Sequence, residues 1–149
     1  MDSDNTSDRS KTGLEYLKDL VAHWHGSPMA ELMNMRLIAA DDGTATFEAY
    51  PGPRYYNPQM RVHGGYAAAL LDSTLGCAVQ TKLPIGIGYG TVELKVNYVR
   101  KIDETVGRLL CKASVLHAGR TMLTAEAKVV DENGKLYAHG SGTFLVYPK

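Results

Sequence analysis

The 149-residue chain holds only two cysteines, Cys77 and Cys111, too few and too far apart for a disulfide scaffold or a Cys-rich metal site. Two reduced thiols packed as small apolar groups is the simplest reading. Neither sign of charge is in excess, because sixteen Lys and Arg offset sixteen Asp and Glu. A sequence-independent nucleic-acid binder needs a basic surplus, so nucleic acid is excluded as a partner. The same balance leaves little charge repulsion between copies, which permits self-association. No run reaches the ~18–20 apolar residues of a membrane span, so no membrane partner is expected. Residues 1–11 lack the apolar core of a signal peptide, and the expected location is the cytoplasm. His23, His25, His117 and His139 show no metal-ligand spacing with Cys or carboxylates, so neither metal nor cofactor is expected.

What is present is an ordinary globular composition, 44% hydrophobic and 21% charged. A chain of this length can bury about two-thirds of its unfolded surface in one core. Residues 1–12 read as a polar, flexible arm and residues 13–149 as a single domain. Leu14, Leu17, Leu20, Val21 and Trp24 recur at helical spacing, giving an amphipathic helix over residues 14–24. Pro28 opens a short helical turn through residues 31–33. Residues 35–40 and 44–50 flank the turn Asp41-Asp42-Gly43 as a β-hairpin, and residues 51–58 form a Pro- and Gly-containing loop.

Residues 64–80 differ in kind. They are rich in Ala and Leu and apolar nearly all round, the mark of a buried helix. The Gly-rich segment 84–90 follows, and it precedes a strand instead of opening a helix, which argues against dinucleotide binding. Residues 91–99, 108–116, 121–130 and 135–146 read as strands joined by short turns, an antiparallel meander. The fold class is α+β, an antiparallel sheet curled around one long central helix.

One carboxylate, Asp72, sits in that apolar helix without a polar stripe to belong to. Taking a carboxylate out of water is costly unless it is paired or hydrogen-bonded, so a residue so placed serves either as a satisfied structural acid or as a reactive one. The segment His63-Gly64-Gly65 opens the helix. Its unpaired N–H groups and positive dipole suit a developing oxyanion. Asn57, six residues upstream in a Pro-flanked loop, can place a water or a carbonyl.

The run from Asn57 through His63-Gly64-Gly65 to Asp72, followed by the alternating strand from Thr91, resembles the hotdog-fold acyl-CoA thioesterases. The phenylacetate-pathway and hydroxybenzoyl-CoA branch is the closer part of that family. The resemblance covers about residues 30–146 and implies homodimers joined sheet edge to edge, usually assembled into homotetramers. It implies hydrolysis of an acyl-CoA, with CoA as part of the substrate and not as a cofactor. Asp72 falls at the catalytic carboxylate, acting as nucleophile or general base. Gly65 falls where a backbone N–H polarises the thioester carbonyl, and Asn57 and His63 match residues that position substrate and water. Thr91 aligns with a hydroxyl reaching the site from the neighbouring subunit. The turn holding His117, Gly119, Arg120 and Thr121 lies where the CoA phosphates are bound. Where a hydroxyl side chain is common four residues beyond the acid, this chain has Gly76.

On this reading Asp72 stays ionised near neutral pH through hydrogen bonds from Asn57 or Thr91. Tyr55, Tyr56 and Tyr66 either line an acyl pocket or serve packing. Two other activities fit the same fold. An enoyl-thioester hydratase or dehydratase would want an imidazole as second acid–base partner. A non-catalytic acyl-CoA sensor would want an output domain, and only about thirty residues precede the fold.

Overall fold

A computed structural model describes residues 10–149; the expected arm lies outside the described residues as far as residue 9. Helix α1 runs Gly13–Ala22, opened by a capping box in which Thr12 and Glu15 satisfy each other's backbone N–H groups. It buries Leu17 and stops two residues short of the expected end, because Trp24 turns away to donate its indole N–H to Glu31 at 2.8 Å. Helix α2, Pro28–Leu32, is a single capped turn with Ser27 as N-cap. Strands β1, Met35–Asp41, and β2, Thr44–Ala49, form the expected hairpin. Gly43 at its tip takes a φ of 79°, which a side chain would resist.

Helix α3, Gly64–Gln80, is the central rod. The remaining strands are β3, Ile87–Tyr98, β4, Leu109–Ala118, β5, Met122–Asp131, and β6, Leu136–Pro148. All six join one antiparallel sheet in the order β1-β2-β4-β5-β6-β3, curled around α3 as a hotdog fold. Leu70, Leu71, Leu75 and Val79 on α3 meet the inner face of the sheet at Leu37, Phe47, Leu109, Val129 and Phe144, all in one buried core. Each such side chain contributes about 1.5–3 kcal/mol relative to exposure.

Two expectations are corrected. The meander holds for β4, β5 and β6, but β3 pairs with β6 instead of β4. Residues 99–108 are too long for a hairpin turn, and they cross the N-terminal end of α3, where Ile102 is buried and its carbonyl accepts from Val62 N–H at 2.8 Å. Second, β3 begins at Ile87, inside the segment read as a loop. It pairs with β6 as far as Pro148, and Gly88 allows the ring of Tyr147 to approach to 3.0 Å of where a Cβ would stand.

Candidate active site

Asp72 lies midway along α3, half-buried, on the side facing β3. Thr91 pairs with Phe144 across the sheet, and its hydroxyl donates to Asp72 Oδ1 at 2.9 Å. The contact is made inside one chain, which corrects the expectation that Thr91 arrives from a neighbouring subunit. Asp72 enters no ion pair with Lys or Arg among the described residues, so its second oxygen has no cation to neutralise it.

Asn57 does not reach Asp72. Its Oδ1 accepts from the backbone N–H groups of Gln59 at 3.0 Å and Arg61 at 3.4 Å, an Asx turn that shapes the loop before α3. The side-chain amide of Asn57 donates to nothing among the described residues and lines a cavity of about 280 Å³ with His63, Gly64 and Tyr98. Arg61, Arg100 and Lys101 surround the same cavity and make it electropositive.

His63 is the N-cap of α3. Its Nδ1 accepts from Gly65 N–H at 2.8 Å, so that nitrogen carries no proton and the ring can donate only from Nε2. The expected oxyanion donor, Gly65, is therefore already engaged. Gly64 differs: among the described residues nothing accepts from its N–H. Its carbonyl accepts from Tyr98 at 2.8 Å, and a Cβ there would sit 3.1 Å from the Tyr98 ring, which explains the glycine. An unpaired first N–H of a helix is the signal that distinguishes Gly64, and the sequence motif alone does not separate the two glycines.

His117, Gly119, Arg120 and Thr121 lie at the opposite end of α3 from this cavity. The turn is closed by Gly119 N–H donating to Met122 and by Thr121 accepting from Val146 N–H. Arg120 and Gly119 line a cavity of about 450 Å³ with Lys82, Leu83 and Ile87. The guanidinium of Arg120 has no carboxylate partner among the described residues, whereas Lys82 pairs with Asp42 at 2.8 Å.

The tyrosines take structural roles. Tyr55 and Tyr66 stack at 4.7 Å and donate to the carbonyls of Leu32 and Met33, while Tyr56 accepts from Glu104 N–H. Burial, with Tyr55 beside it, pushes the Tyr66 phenol well above its ordinary value. Among the described residues, no helix is long and apolar enough to cross a membrane.

Residues 60–138, the stretch holding α3 and most of the sheet, match the family model of the thioesterase superfamily. A candidate esterase of Halobacterium salinarum is 37% identical over 94 residues, covering 58% of this chain and 60% of its own length. Thus the match spans less than two-thirds of that relative. A conserved protein of Pseudomonas aeruginosa of solved structure is 34% identical, covers 82% of this chain and 95% of its own, and superposes with a TM-score of 0.76. The Escherichia coli PaaI protein, from the phenylacetic acid degradation operon, shares the fold at 20% identity and a TM-score of 0.77, over 89% of this chain and 94% of its own. The chain belongs to the thioesterase superfamily.

Proposed function

We propose that the protein hydrolyses acyl-CoA thioesters to a free acid and CoA, in a site assembled from two copies of the chain. The observation that carries this reading is the pairing of an ionisable Asp72, fixed at one oxygen by Thr91, with an unpaired helix-opening N–H at Gly64. Eight residues of α3 separate them by about 12 Å along the axis, and a first-turn N–H points away from Asp72. One thioester carbonyl cannot touch both groups of the same chain. Two copies packed about a two-fold axis bring Asp72 of one to Gly64 of the other.

In such a site the carbonyl oxygen accepts from Gly64 N–H, with Asn57 and His63 Nε2–H as further donors from the same subunit. The free oxygen of Asp72 either attacks the carbonyl carbon or takes the proton of an attacking water. When Asp72 acts as base, the tetrahedral oxyanion collapses, the C–S bond breaks and the CoA thiolate takes the proton that Asp72 removed from water. When Asp72 attacks, collapse expels the thiolate and leaves an acyl–Asp72 anhydride. Water hydrolyses that anhydride to the free acid, its proton going to the thiolate and the carboxylate being restored. A single oxyanion donor is typically worth on the order of 10²–10³ in rate. Arg61, Arg100 and Lys101 give the entrance a charge suited to an anionic substrate, and Arg120, with His117, Gly119 and Thr121 shaping its turn, is assigned to the CoA phosphates.

Hydration of an enoyl thioester is the second reading, since it too uses a carboxylate. It wants an imidazole free to pass protons, and His63 has one nitrogen committed to Gly65. Incubation with saturated and enoyl-CoA esters tests the choice. Thiol release from both supports hydrolysis; loss of enoyl absorbance without thiol overturns it. A sensor would bind acyl-CoA and release no thiol, with Asp72→Ala binding as tightly as the wild type.

A further inference from the structure

The contact between α3 and β3 continues beyond the Asp72–Thr91 pair into residues that the hydrolysis leaves unused. Alternation along β3 turns Tyr89 to the same side as Thr91. Thr91 meets Asp72, and Tyr89 meets Gly76, one helical turn further on. A Cβ added to Gly76 would lie 2.6 Å from the phenol oxygen, so the ring rests on bare helix backbone. A mid-helix glycine costs about 1 kcal/mol relative to alanine, and this contact accounts for it. The ring is held on another side by an edge contact to Phe144, with centroids 5.8 Å apart.

The phenol hydroxyl has no hydrogen-bond partner among the described residues. No described side-chain oxygen is both fully buried and unpaired, so the phenol oxygen must touch open space. A cavity of about 340 Å³, open to solvent, lies there, lined by Tyr89, Tyr16, Gln80, Ile87, Tyr147 and Lys149. Its volume is within the range of small-molecule pockets. One aromatic ring thus stands between the reactive carboxylate and an open chamber of mixed polar and apolar lining.

We infer that Tyr89 is the end wall of the acyl site and limits the substrate to short-chain or single-ring acyl groups. The inference rests on the thioesterase reading only in taking Asp72 as the place where the acyl carbonyl lies. The CoA arm must leave toward solvent, so the acyl group runs along α3 toward Gly76. It meets the phenol about 6 Å along α3. A longer chain needs the ring removed, and the chamber beyond then accepts it.

The test measures kcat/KM by thiol release for butanoyl-, hexanoyl-, decanoyl- and dodecanoyl-CoA. In parallel, calorimetry measures Kd for the non-hydrolysable S-alkyl-CoA thioethers of the same lengths. The wild type and Tyr89→Phe prefer the short members, because the wall is the ring and not the hydroxyl. Tyr89→Ala raises the decanoyl-to-butanoyl ratio at least roughly tenfold, the scale on which pocket shape discriminates methylenes. Tyr89→Leu, which keeps more of the packing, moves the ratio the same way by less. Parallel length profiles in all four proteins, or a wild type that already prefers decanoyl-CoA, overturn the inference. If no ester releases thiol, hydrolysis fails as a reading, while the thioether series still decides the wall.

Discussion

Thr91 Oγ1 donates to Asp72 Oδ1 across 2.9 Å within a single chain, tying the central helix to the edge strand of the sheet. A carboxylate on an apolar helix is thereby given one fixed oxygen and one free one before any partner subunit arrives. Thr91→Val removes the donor while keeping the shape. It should lower kcat by roughly 10- to 100-fold, the lower end of what a positioned acid–base partner contributes, with little change in KM. Thr91→Ser should retain most activity. Steady-state thiol release separates these outcomes, and equal loss in both variants would assign the residue to packing instead.

A site shared between copies makes a sharper demand. Asp72→Ala and Asn57→Ala homodimers should each be nearly inactive. A mixed dimer holds one intact site, built from Asp72 of one chain and Asn57 of the other, and should recover close to half the wild-type turnover. Activity in co-purified, differently tagged dimers checks this; recovery no greater than the sum of the parents would place the site within one chain. Specific activity should also fall on dilution below the dimer dissociation constant.

Stability should respond sharply at Gly140. A Cβ there would lie 2.3 Å from the backbone oxygen of Lys95 and 3.5 Å from Leu71, where β6, β3 and α3 converge. Neither backbone can yield cheaply, so Gly140→Ala should destabilise by about 1–3 kcal/mol, the usual cost of overpacking. A lowered thermal midpoint is the expected reading.

Burial in the sheet pushes the Cys111 thiol up to about 12, against a smaller opposing effect of its hydrogen bond with Thr74. The unfolded chain ionises this group near its ordinary value of 9.0. The neutral thiol therefore contributes stability that is complete below that value and lost as pH climbs toward about 12. Thermal midpoints should fall above pH 9, and Cys111→Val should flatten the decline. At neutral pH the native thiol should resist aromatic disulfide reagents, then react once the protein is unfolded.

Much of this was legible in the sequence because burial periodicity is a strong signal. The all-round apolar run at residues 64–80 announced α3, and the strand alternation announced the sheet. Asp72 stood out for the same reason, as a charge in a place that excludes charge. What escaped was pairing between distant segments. Nothing local reveals that β3 lies beside β6, or that Gly88 and Gly90 extend a strand instead of a loop. Nor could the motif show which of two adjacent glycines keeps a free N–H, since that turns on the His63 ring folding back over Gly65. The sequence could point to Tyr89 as one residue setting pocket depth, but not to its contact with Gly76, thirteen residues away in sequence and adjacent only in space.

The role of Asp72 is tested most directly by thiol release from a panel of acyl-CoA esters with the wild type and Asp72→Ala, alongside calorimetric binding of a thioether analogue. Turnover should drop roughly 10²–10⁴-fold while analogue affinity changes little, as for a group acting in the transition state. An Asp72→Ala protein that hydrolyses its best ester at the wild-type rate would contradict the account.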